Sequence, residues 1–135
     1  MKTKILIIAV LITTTLLGGG LTIVDSNMSF TEATKGTKAP KELLDSIVLL
    51  DVVYYSTDNK KHQGQILVHK TVEEDVKYFF HMALEEKFPI KQVIPIVSYA
   101  WSDDASMSAN NSSAFNYRFI AGTTRLSNHS YGKAI

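Results

Sequence analysis

Residues 47–89, IVLLDVVYYSTDNKKHQGQILVHKTVEEDVKYFFHMALEEKFP, decide the fold class. Ile47 to Ser56 is dense in β-branched and aromatic residues, which suit a pleated, half-buried surface, and it reads as a strand. Residues 57–65, TDNKKHQGQ, are turn-like, with Asp58-Asn59 and Gly64 as punctuation. Residues 66–70, ILVHK, return as a second strand, so a hairpin is expected. Thr71-Val72-Glu73-Glu74 has the capping-box pattern, in which side chains at both ends satisfy free amides of a first helical turn. Val72, Val76, Phe79, Phe80, Ala83 and Leu84 then recur at helical spacing and make one apolar face. Glu73 and Lys77 form an i,i+4 pair beside it, and Pro89 ends the helix.

Outward from this stretch the signals are weaker. Downstream, KQVIPIVSYAW (91–101) reads as extended and SDDASMSANNSS (102–113) as a polar loop. AFNYRFI (114–120) reads as a strand, AGTTRLSN (121–128) as a loop and HSYGKAI as the start of a further strand. Strands gathered around one helix, without regular βαβ alternation, predict an α+β fold: a small antiparallel sheet with packed helices.

Upstream, MKTKILIIAVLITTTLLGGGLTIV carries Lys2 and Lys4, then an apolar run from Ile5 to Leu17. A short basic segment before an apolar one is the plan of a secretory signal, and Gly18 to Gly20 offer small residues for cleavage. Counted through to Val24 the apolar stretch is also long enough to span a bilayer, which takes about 20 residues. Residues 1–24 are therefore expected to be a signal peptide or a membrane anchor in the form of a hydrophobic helix. Either way the remainder lies outside the cytoplasm, because the lysines stay inside. Residues 25–41, DSNMSFTEATKGTKAPK, are polar and small and are expected to be a linker, with the folded domain over residues 42–135.

Bulk composition removes several classes. An apolar content of 45% with 20% charged residues argues against disorder. There is no cysteine, so no disulfide, thiolate ligand, cysteine nucleophile or lipid-modified cysteine is available. Of 14 basic residues, Lys2 and Lys4 fall in the export segment, leaving 12 against 13 acids. So balanced a domain lacks the electrostatic footprint of a nucleic-acid binder.

Three of the four histidines have bland readings. His81 faces away from the apolar stripe, His69 ends a strand, and His62 sits in a turn-rich stretch expected to be exposed. Asp103 and Asp104 are adjacent and read as solvated loop acids. Arg118 lies in an otherwise apolar stretch, where a charge is either at an edge or turned into an anion-binding pocket. His129 stands apart through its neighbours, with Ser127 before it and Gly132 after it.

Residues 106–135, SMSANNSSAFNYRFIAGTTRLSNHSYGKAI, resemble the VanY-type D-alanyl-D-alanine carboxypeptidases, zinc peptidases of bacterial cell walls. Ser127, His129, Gly132 and Ala134 fill the first four fixed places of that family's Ser-x-His-x-x-Gly-x-Ala-x-Asp signature. Residues 62–93 are similar to the family's N-terminal half, so the resemblance runs from about Leu44 to Ile135. It implies that His129 is a Zn²⁺ ligand, that Arg118 binds substrate and steadies the developing oxyanion, and that Ser127 shapes the pocket. It also implies a peptidoglycan stem peptide as substrate. The signature's Asp would fall just after Ile135, and a third ligand and the catalytic Glu later still. Catalytic zinc takes three protein ligands, so these 135 residues are expected to form an inactive N-terminal part of such a domain, with its final strands missing. A non-catalytic module that binds cell-wall peptide is the alternative expectation.

Overall fold

The computed structural model describes residues 20–135. Its centre is the hairpin read from the sequence. Strand β2 (Ile47–Tyr55) pairs antiparallel with β3 (Lys61–His69), in continuous register from Ile47 opposite His69 to Tyr55 opposite Lys61. The connection is shorter than the sequence suggests, because Lys61 to Gln65 belong to the strand. Asn59, at φ +59°, takes the left-handed position that Asn tolerates. The Asp58 carboxylate accepts the Lys60 N–H at 2.9 Å. Polar composition hid the start of β3, since His62 and Gln65 are buried with partners. Gly64 is not a turn residue. A Cβ there would lie 2.0 Å from the Val93 carbonyl oxygen, so the glycine lets a second strand cross against the first.

The sheet is mixed, not purely antiparallel. Strand β1 (Ile23–Val24) lies parallel to β3 on its other side, giving the order β1-β3-β2. That places β3 in the middle with both faces covered, which is why Gly64 to Val68 are buried in succession instead of alternating. One face meets helix α3 (Glu73–Glu85) and carries Leu50, Val52, Tyr54, Ile66 and Val68 against Val76, Phe80 and Ala83. The other face buries Ile47 and Leu67 with Ala33 and Phe115.

Ala33 belongs to the segment expected as a linker, and that expectation does not hold. Ser29 caps helix α1 (Phe30–Ala33) in a reciprocal capping box with Glu32, and Lys41–Leu44 form helix α2. The Gln65 side chain staples the segment down. Its oxygen accepts from the Ser26 hydroxyl at 2.8 Å and the Met28 N–H at 2.6 Å, and its amide donates to the Met28 carbonyl at 3.0 Å. Polar residues suggested solvent, but here their polarity is spent on buried partners.

The hydrophobic helix expected over residues 1–24 falls mainly on residues 1–19, outside the described residues, as do the signal and anchor readings. Of the described part, residues 20–24, none is helical and Ile23–Val24 are strand, so a helix continuing to Val24 is not present. Among the described residues no helix is long and apolar enough to cross a membrane.

Thr71 does not cap α3 in the way its sequence pattern predicts. Residues Lys70–Val72 form a 3-10 turn, capped by His69, whose Nδ1 accepts the Thr71 N–H at 3.1 Å. The α-helix starts at Glu73, and the Glu73–Lys77 pair forms at 2.7 Å. Beyond Pro89, strand β4 (Gln92–Val93) pairs parallel with β5 (Asn111–Ser112). A 3-10 turn (Ile96–Tyr99) and the short helix α4 (Asp103–Ser108) lie between them, where an extended segment and a loop were expected.

Candidate functional site

Residues 114–129 form a two-sided loop closed by backbone bonds. Asn116 N–H donates to the His129 carbonyl at 2.9 Å, Ser127 N–H to the Arg118 carbonyl at 3.0 Å, and Ile120 N–H to the Arg125 carbonyl at 2.8 Å. The strand read at 114–120 is thus only a fragment of a ladder, with a single bridge between Phe119 and Leu126. The strand expected after it is instead a 3-10 turn, Asn128–Tyr131. Ser130, completely buried, explains the switch. Its hydroxyl donates to the Arg118 carbonyl at 2.7 Å and accepts the Arg118 N–H at 2.9 Å, so the turn is folded back onto the chain it follows.

Gly132 ends this turn in the left-handed region, at φ +65°. Its carbonyl accepts the His69 N–H at 2.9 Å, and a Cβ would lie 2.8 Å from that nitrogen. The glycine of the signature is therefore explained by conformation and close approach: it docks the turn on the end of β3.

A cleft of about 470 Å³ opens beside the turn, bounded by α4, β5, the loop at 113–118 and the chain end. Arg118, His129, Asp103, Asp104, Asn116 and Ile135 all reach it. His129 Nδ1 lies 2.9 Å from the Ala114 carbonyl oxygen. A carbonyl can only accept, so Nδ1 carries the proton, and in the neutral ring Nε2 is left with a free lone pair. Such a backbone acceptor is how a ligating imidazole is commonly held in one tautomer.

Ser127 does not line the cleft. It is buried, and its hydroxyl accepts the His129 N–H at 3.3 Å, so it shapes the turn that carries His129. Arg118 Nε is shielded from solvent and contacts the Asp103 carboxylate, while the side chain as a whole is partly exposed. Asp103 also accepts from Asn116 Nδ2 at 2.9 Å. Reading Asp103 as a solvated loop acid missed this role. Ser102-Asp103-Asp104 has the composition of a helix start and could have placed Asp103 on a fixed first turn. Ser130 had no comparable signal.

The zinc implied by the resemblance does not fit the described residues alone. His129 offers one donor, and among the described residues no three His, Cys, Asp or Glu side chains converge as a metal ion would need.

His62, expected to be exposed, is the most enclosed of the four histidines. Its Nδ1 lies 2.8 Å from Asp25 and its Nε2 3.1 Å from Asp58. Two carboxylates facing two ring nitrogens suit the imidazolium, which donates from both. Burial opposes the charge on His62, but the hydrogen bonds to Asp58 and Asp25 outweigh it and raise the ring's pKa above the ordinary value. Tyr54 donates to Asp25 at 2.5 Å, and burial together with that bond pushes its phenol well above the usual range. This cluster ties β1 to the hairpin and lies apart from the cleft. His81 is exposed beside Glu85, as its place on the outer helix face predicts. No family model, curated protein or solved structure matches the chain.

Proposed function

We propose that the cleft at Arg118 and His129 is the peptide-binding part of a zinc peptidase site of D-alanyl-D-alanine carboxypeptidase type, acting outside the cytoplasm on peptidoglycan stem peptides. The observation that carries this reading is the meeting, in one cleft, of a guanidinium and an imidazole whose tautomer is fixed with Nε2 free. In this reading Arg118 binds the peptide's terminal carboxylate or the oxyanion formed during cleavage, by charge-assisted hydrogen bonds. His129 contributes one ligand for Zn²⁺. When bound, zinc would supply an activated water and polarise the scissile carbonyl. One protein ligand cannot hold catalytic zinc, and among the described residues no further ligands converge on His129.

A second, narrower reading rests on Arg118 in the cleft wall, which can grip a carboxylate without a metal: a module that binds cell-wall peptide without cleaving it. Incubation with a stem peptide ending in D-Ala-D-Ala, with zinc added, tests both. Binding without hydrolysis is expected, and Arg118→Ala should weaken the binding about tenfold while leaving the fold intact. Robust turnover by the chain alone would overturn the one-ligand account. Failure to bind any such peptide would remove both readings.

A further inference from the structure

We propose that Asp103 is a positioning residue that holds Arg118 by Nε, so that the Nη edge of the guanidinium meets a ligand's carboxylate in the cleft. The inference rests on the reading of the cleft as a peptide site and adds how its carboxylate is recognised.

Asp103 stands in the first turn of α4, which Ser102 caps by accepting the Ala105 N–H at 3.2 Å. Its second oxygen is held by Asn116 Nδ2 at 2.9 Å, and Asn116 is itself buried, donating to the Trp101 carbonyl at 3.3 Å. The carboxylate therefore has a defined place before Arg118 meets it. Arg118 is likewise fixed at its backbone on both sides, by Ser130 Oγ and by the Ser127 N–H. What remains free is a long, flexible side chain, and its Nε is shielded from water against Asp103.

A guanidinium presents its five N–H groups along two edges that can grip a carboxylate with two parallel bonds. One edge includes Nε and the other is the Nη pair. With Nε occupied, only the Nη edge can receive a ligand carboxylate in that two-bond fashion. Asp103 also offsets much of the arginine's charge, so the site favours a planar acceptor of matching shape over an arbitrary anion. The ligand class is then a peptide with a free C-terminal carboxylate.

The test is calorimetric titration of the full chain with N-acetyl-D-alanyl-D-alanine and with its C-terminal amide. Wild type should favour the acid by about tenfold or more, the value of a charge-assisted bond. Asp103→Asn keeps size and shape, and it should bring the acid-to-amide ratio towards unity. General damage to the cleft would instead weaken both ligands alike and overturn the proposal. Arg118→Lys retains the cation without the fork and should lose the same preference, which keeps the proposal testable if the Asp103 variant does not fold. An unchanged ratio in either variant overturns the positioning role alone. If wild type binds neither ligand, the reading of the cleft falls and this inference falls with it.

Discussion

His62 shows how much one side chain can carry here. Between Asp25 and Asp58, with the Tyr54 ring 6.0 Å away, it links the first described strand to the tip of the hairpin. Because the folded ring's pKa is raised, its contribution to stability is fully present below the unfolded value of about 6.5 and is lost as pH rises through the folded value. Asp58, lowered chiefly by the Lys60 backbone N–H, works at the other end: its contribution is present above its unfolded value and lost as pH falls. Urea unfolding at a series of pH values should therefore show stability declining as pH rises above about 6.5. His62→Gln should flatten that decline and cost about 1–2 kcal/mol at pH 6. A variant with the wild-type slope would show that the charge on His62 does not matter.

At the scale of elements, α3 tests how helical periodicity maps onto burial. The sequence stripe included both Phe79 and Phe80, but only Phe80 enters the core, with Val76 and Ala83, while Phe79 is 48% exposed. The two rings meet edge to face at 5.2 Å, so Phe79 covers its neighbour more than it fills a space of its own. Phe80→Ala should cost about 3–5 kcal/mol through lost burial and the cavity left behind. Phe79→Ala should cost about 1 kcal/mol or less. Denaturant unfolding of both variants measures the contrast, and equal losses would mean that the helix sits in another register. The start of α3 shows the opposite limit of local reading. The Thr71-Glu74 pattern suggested a box, yet the strand brings His69 Nδ1 within reach of the Thr71 N–H, and the nearer acceptor is used.

For the whole molecule, the decisive feature is that residues 23–44 wrap the sheet face left open by α3. Ala33 is completely buried between Ile47, Leu67 and Phe115, and the Trp101 indole donates to the Lys35 carbonyl at 3.0 Å. Ala33→Asp should place an unpaired carboxylate in that layer and cost about 3 kcal/mol or more. Thr31→Asp, two residues away and exposed, should be nearly neutral. Thermal unfolding of the pair distinguishes a packed layer from a tether, because in a tether both changes would be silent.

How much was legible follows from the range of the interactions concerned. The β2–β3 hairpin and α3 could be read because their residues are chosen by local backbone preference and by an apolar period that needs no partner to be seen. Arg118 and His129 could be picked out as chemically unusual, and Gly132 as part of a spaced pattern. The partners of these residues could not be read. Asp103 reaches Arg118 across 15 positions, Ser130 folds its turn back onto residues 116–118, and Asp25 meets His62 from 37 residues away. Those pairings depend on which polar groups burial leaves without water, and a chain read in one dimension does not display that. The sequence by itself determined an α+β framework and the residues that could do chemistry. The tertiary structure decided which polar stretches are interior, which glycine is a crossing point, and that the arginine and the histidine face one cleft.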